Sequence, residues 1–291
     1  MYYLLLILST LSGSVKSLVL KKLGKEFGGG RGIYFLNSFM LFLASIGIGI
    51  YTIFVEKSFY ISFYSLSVAF LFGLSIVFSQ LLEAIAMKHG SVSMTALIYS
   101  LGLVFPIIYG SIFLSEEISV MQLLGMALAF FALYFIVNPE KDSKVNIVWL
   151  VFAVSASCCA GLNGIIQKAH QSSPHKSELC AFVCLALMLA AAFSLVAAFL
   201  SKDKSEKKAA KKLKIDFKLV VIGGVAIGLV NILNLILAGK IEAVIQFPVY
   251  NIGGMILTGL GGRFIFGEKM SKKQIIGFTV GCIAILVIGL L

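Results

Sequence analysis

The sequence predicts an all-α membrane protein whose ten transmembrane helices form two inverted five-helix repeats. Three observations carry that fold class. Of 291 residues, 59% are hydrophobic and 13% charged, with a mean hydropathy of +1.02, far from the balance of a soluble domain. The apolar residues fall in ten stretches with short polar breaks, each close to the roughly 20 residues a spanning helix needs. The chain also repeats itself at a spacing of about 152 residues. Ala86-Met87-Lys88 returns as Ala238-Gly239-Lys240, and Ile98-Tyr99-Ser100-Leu101-Gly102 as Val249-Tyr250-Asn251-Ile252-Gly253. Ser115-Glu116-Glu117-Ile118-Ser119 returns as Gly267-Glu268-Lys269-Met270-Ser271, with Gln122 and Gly125 matched by Gln274 and Gly277. An odd number of spans per copy makes the copies insert upside down relative to one another, the plan of a secondary transporter.

In chain order, the spans are predicted at 2–20, 33–55, 63–87, 92–114, 119–138, 146–168, 178–200, 218–238, 243–266 and 273–290, with one repeat over 1–140 and the other over 141–291. The first stretch lacks a basic leader and a small-residue cleavage site, and is expected to be a retained span. Gly102 and Pro106 in span four, and Pro248, Gly253 and Gly254 in span nine, predict kinks or local unwinding, for a pocket or for packing. Gly259, Gly261 and Gly262 thin span nine further for close helix approach. Gly224-x-x-x-Gly228 and Gly277-x-x-x-Gly281 suit internal packing or a homodimer. Between spans seven and eight, a Lys-rich loop at 201–218 either sets topology or lies on anionic lipid head groups.

The net charge of +11 does not point to nucleic acid, because the basic residues sit between apolar segments. Loops after odd-numbered spans hold nineteen Lys and Arg residues, loops after even-numbered spans four. Compared between copies the bias reverses: Lys21, Lys22, Lys25 and Arg31 after span one face only Lys168 and Lys176 after span six. The positive-inside rule then places both termini outside the cytoplasm.

Cys158, Cys159, Cys180, Cys184 and Cys282 all fall in apolar segments without C-x-x-C spacing, and His89, His170 and His175 fall in connecting segments. No disulfide framework, metal site, cofactor or catalytic constellation is expected, so the chain reads as no enzyme. The phosphate-binding glycine loop of nucleotide hydrolases is also missing from the sequence.

Polar groups deep in spans are costly and are the candidates for function. Lys16 in span one and Asn163 in span six stand at matched places, where they either face a cavity or, for Lys16, snorkel. Gln80 and Glu83 share a helix face in span three. Glu83 offers a carboxylate to a cationic substrate or a coupling proton, or is an acid at the membrane boundary. Asn231 and Asn234 repeat that spacing in span eight, for ligand contact or for packing. Tyr99, and Tyr250 with Asn251, occupy matched positions within spans four and nine, where hydroxyl-bearing rings suit a midplane pocket. Glu116 and Glu268 recur just before the last span of each copy and read as structural groups that cap or orient it.

The paired blocks Phe105-Pro106 through Glu116-Glu117-x-Ser119-x-x-Gln122-x-x-Gly125 and Gly267-Glu268-Lys269-x-Ser271-x-x-Gln274-x-x-Gly277 resemble the drug/metabolite transporter superfamily, in particular its EamA-like ten-helix members. That resemblance implies a central cavity formed by spans 1, 3, 4, 6, 8 and 9 and the movement of amino acids, nucleotide sugars, sugar phosphates, purines or drugs by proton coupling or exchange. Two departures stand out: Asn37 occupies a place near the start of span two where many members carry arginine, and many members keep both termini in the cytoplasm. The reading is a secondary active transporter of the bacterial cytoplasmic membrane, moving a small polar metabolite by alternating access. Its rival is a non-transporting membrane subunit or scaffold whose polar groups serve packing alone.

Overall fold

The computed structural model describes residues 1–27, 31–57, 59–89, 92–137, 147–200, 216–267 and 270–290, and every regular element among them is helical. They form α1 (Tyr2–Phe27), α2 (Arg31–Phe54), α3 (Phe63–His89), α4 (Val92–Ser100), α5 (Val104–Phe113), α6 (Val120–Val137), α7 (Ile147–Ser172), α8 (Leu179–Leu200), α9 (Phe217–Ala238), α10 (Ala243–Phe266) and α11 (Lys272–Leu290). Seven of them are long and apolar enough to cross a membrane by themselves. Counting α4 and α5 as one broken helix, the bundle has the ten members the sequence predicts.

Many large apolar side chains point outward, Phe54 and Leu200 each 74% exposed, and buried alanines and serines stand among the leucines and isoleucines of the interior. This is the distribution of a protein solvated by lipid, where small residues bring helices together. Serine hydroxyls tie the bundle across helices. On α2, Ser38 and Ser45 donate to the carbonyls of Ala191 and Cys184 on α8, at 2.7 and 2.8 Å. Ser9 of α1 donates to Asn234 Oδ1 of α9 at 2.8 Å, and Ser75 of α3 to the Cys159 carbonyl of α7 at 2.8 Å.

These contacts fix direction. Ser38 and Ser45 meet residues in reversed order along α8, so α2 and α8 are antiparallel. Gly125, near the start of α6, packs on Ile288 near the end of α11, while Gly277 at the start of α11 packs on Phe135 and Ile136 at the end of α6. Those helices are antiparallel too. A Cβ on Gly277 would stand 2.6 Å from the Ile136 backbone nitrogen, whereas one on Gly254 would meet nothing within 4 Å. Gly277→Ala is therefore expected to cost about 1–3 kcal/mol, read as a lower Tm in detergent, with Gly254→Ala as the unchanged control. The other glycine pair, Gly224 and Gly228, packs α9 on Met40, Leu43 and Ala44 of α2, so both small-residue motifs serve contacts inside the chain.

Several boundaries differ from the sequence reading. Pro106 has no N–H for the Gly102 carbonyl and its ring crowds that carbonyl, so span four breaks into a 3-10 turn at Leu101–Leu103. Pro248 lies inside α10, which continues unbroken. α7 runs on to Ser172, which brings Lys168 and His170 from the expected connecting segment into the bundle. His170 is fully buried, stacked on Phe182 with ring centroids 4.1 Å apart. Most of the Lys-rich loop, with Glu268 and Lys269, lies outside the described residues; its last residue, Lys218, is already in α9, whose start Asp216 caps by accepting from the Lys218 N–H at 3.1 Å.

Candidate functional site: a polar cavity between two cores

Buried apolar residues form two main clusters. One joins α1, α2, α3, α8 and α9 with Ile166 of α7, the other α5, α6, α10 and α11. Between them lies a partly open cavity of about 590 Å³, within the size range of small-molecule sites. It runs from the middle of the bundle toward the ends of α1 and α10 and the start of α11, where Thr258, Gln274 and Phe278 line it.

The structure places all nine sequence-predicted site residues on this cavity: Lys16, Gln80, Glu83, Tyr99, Asn163, Asn231, Asn234, Tyr250 and Asn251. Lys16 and Glu83 both line it, within electrostatic reach of one another. The Tyr250 hydroxyl packs against Gly13, where a Cβ would stand 2.8 Å away. Asn37, the departure from the family's arginine, also lines the cavity and donates to Gln80 Oε1 at 2.8 Å.

Sequence reasoning missed Gln167 and Gln246, both lining the cavity and both more than nine-tenths buried. Gln167 lies one helical turn beyond Asn163, and Gln246 one turn before Tyr250, so helical periodicity puts them on the same faces as predicted residues. Gln246 donates through Nε2 to the Asn234 carbonyl at 2.8 Å. Its Oε1, with Gln167 Oε1 and Asn163 Oδ1, is buried without a hydrogen-bond partner.

At the opposite end the first copy of the repeated motif ties the end of α5 to α7 and to the start of α10. Ser115 adopts a left-handed conformation, φ 54°, and its counterpart Gly267 does the same at φ 66°. That conformation turns the chain sharply after α5 and α10, and explains why small residues stand there. Glu116 then reaches across the molecule: Oε2 accepts from the Ala243 N–H at 2.7 Å, capping α10, and Oε1 pairs with Lys168 Nζ. Lys168, only 2% exposed, also donates to the Ile241 carbonyl at 2.7 Å. Glu116 thus caps α10 rather than the α6 expected from its position in the chain. The reciprocal cap of α6 comes from Ser119 and Gln122, each bonding the other's backbone N–H at 3.1 and 2.9 Å. Ser271 and Gln274 repeat it at the start of α11, at 3.2 and 2.9 Å.

Residues 1–138 match the model of the EamA-like transporter family, in agreement with the resemblance read from the paired motifs. A protein of Enterococcus faecalis (strain ATCC 700802 / V583) described as "Putative sugar uptake protein" is 35% identical over 83 residues, a stretch that spans 28% of this chain and 29% of that protein. A solved crystal structure shares the fold, with a TM-score of 0.76 at 15% identity over 99% of this chain and 96% of that one. The first half of the chain thus carries the EamA-like signature, and the molecule is a multi-pass helical membrane protein.

Proposed function

We propose that the protein is a secondary active transporter of a small polar metabolite, working by alternating access between two inverted five-helix repeats, 1–140 and 141–291. The observation that carries this reading is the cavity itself: polar side chains from both halves converge on it inside an otherwise apolar bundle, and its lining extends to the ends of α1 and α10 and the start of α11. The relative's printed name adds a sugar to the candidate cargoes.

The helix pairings support the inverted arrangement. Exchanging each span of one half with its counterpart in the other turns the α1–α9 contact into α3–α7, and α1–α10 into α5–α7; all four are well populated. Each half of the bundle so related can rock against the other around a fixed site. The end of the cavity at the start of α11 lies on the face that carries the Lys- and Arg-rich loops, the cytoplasmic face by the positive-inside rule. On the other face, the Glu116–Lys168 pair and the cap on α10 form the closed gate, which must open to admit solute from that side.

Gly254 gives a direct test, since it lines the cavity and has free space around its missing side chain. The measurement is counterflow in proteoliposomes loaded with radiolabelled glucose, serine, uridine and putrescine. The wild type should exchange at least one of them saturably, and Gly254→Phe should abolish that exchange with Tm unchanged. Equal flux in the variant would mean that the cavity is not the pathway. Loss of stability without any flux in the wild type would favour the scaffold reading, in which the polar groups only pack.

A further inference from the structure

Given the transporter reading on which this rests, we propose that the cargo is an uncharged, polyhydroxylated molecule, held by hydroxyl donation to Asn163 Oδ1, Gln167 Oε1 and Gln246 Oε1. Among the described residues these three oxygens are the buried side-chain polar atoms left without a partner, and all three residues line one cavity. An unpaired buried acceptor costs stability until a donor reaches it. Two on α7 and one on α10 offer acceptors to a donor-rich ligand.

The other amides around the cavity sharpen the same polarity. Asn231 and Asn251 each spend their N–H on a backbone carbonyl one turn back, at 2.9 Å. Gln246 spends its own on the Asn234 carbonyl, which fixes the orientation of that amide and leaves its oxygen inward. One of the two N–H groups of each of these amides is spent on the protein, whereas the oxygens of Asn163, Gln167 and Gln246 have no partner, so the unmet capacity is to accept. A ligand rich in O–H groups matches it.

Charge narrows the class further. The cavity is lined by one acid, Glu83, and one base, Lys16, whose charges offset each other. A cationic cargo would meet Lys16 and an anionic one Glu83, each unfavourable in a low-dielectric site. A zwitterionic amino acid would satisfy that pair, but its three N–H donors sit on one nitrogen drawn to Glu83 and leave the oxygens on α7 and α10 unserved. A sugar or polyol leaves the Lys16–Glu83 balance intact and supplies a hydroxyl to every orphan acceptor.

The test is thermal stabilisation of the purified full-length protein by glucose, ribose, sorbitol, serine, putrescine and gluconate, with counterflow of the same compounds in proteoliposomes. Glucose, ribose or sorbitol should stabilise saturably, and the charged and zwitterionic compounds should not. Gln167→Met removes an unpartnered oxygen while keeping an unbranched side chain, so it should leave the Tm of the empty protein unchanged or raised and weaken the polyol at least tenfold. Asn163→Leu should do the same and serves where Gln167→Met folds poorly. Stabilisation or flux confined to serine, putrescine or gluconate would overturn the cargo class and leave the transporter reading standing. An unaltered polyol affinity in both variants would overturn the assignment of the oxygens. A panel silent in both stabilisation and flux would overturn the cargo class, and the transporter reading with it.

Discussion

Glu116→Gln is expected to be the most damaging single substitution at the end of the bundle where α5 meets α7 and α10, lowering stability by about 3–5 kcal/mol. The change is nearly isosteric, so its effect is electrostatic. Lys168 is 2% exposed and bonds Glu116 and the Ile241 carbonyl. The amide keeps one neutral oxygen where the carboxylate had two, so it can serve Lys168 or the Ala243 N–H but supplies no counter-charge. A buried cation stripped of its counter-charge carries its full desolvation cost. The cap on α10 weakens at the same time, because Glu116 Oε2 holds the Ala243 N–H. Lys168→Met in the same chain should recover most of the loss, since removing both charges ends the imbalance. Chemical or thermal unfolding of the two single variants and the double variant gives the comparison. If the double variant were as unstable as the sum of the singles, the two groups would not be acting as a pair.

Lys16→Gln is expected to reduce flux at least tenfold, about 1.4 kcal/mol in transition-state terms, while Tm stays nearly constant. Lys16 and Glu83 are the two charged residues lining the cavity, so removing Lys16 leaves the carboxylate as a single uncompensated charge where the solute must pass. Adding Glu83→Gln should restore part of the flux, because the site is again neutral. A lysine that merely snorkelled to the membrane surface would predict unchanged flux in the single variant. Such a result would remove Lys16 from the site.

Ser115 supplies a smaller check on the motif. It holds φ 54°, a region that costs an L-residue roughly 1–2 kcal/mol. Ser115→Gly, which copies the Gly267 of the second half, should raise Tm with no change in flux.

Much of this was legible in the sequence because a lipid environment leaves polar residues few places to go. Lys16, Asn163 and Glu83 were identified by their cost inside apolar segments, and Tyr99 and Tyr250 by their matched places in the duplicated motif; all five line the cavity. Gln167 and Gln246 escaped notice because each lies within a few residues of a predicted span end, where polar side chains are ordinary. The extension of α7 to Ser172 sets Gln167 and Lys168 about a turn back from the helix end, and no local pattern marks it. Glu116 was read as a cap, which it is, but on a helix more than a hundred residues away. Sequence spacing identifies a capping residue next to its own helix and has no means of finding one that acts across the bundle. The local cap is made instead by the Ser-x-x-Gln pair, which the sequence reading took only as part of the repeat; its partners are three residues apart, and both copies form the reciprocal cap.

Alternating access through this cavity is tested most directly by asking which face reaches Phe247, a lining residue near the gated start of α10. With the five native cysteines replaced, Phe247→Cys would be exposed to a membrane-impermeant maleimide in vesicles of known orientation. With the gate intact, labelling should come from the Lys- and Arg-rich face alone. In Glu116→Gln/Lys168→Met, labelling from the opposite face should rise at least tenfold. Unchanged labelling from that face in the double variant, or equal labelling from both faces with the gate intact, would contradict a gated pathway through the cavity.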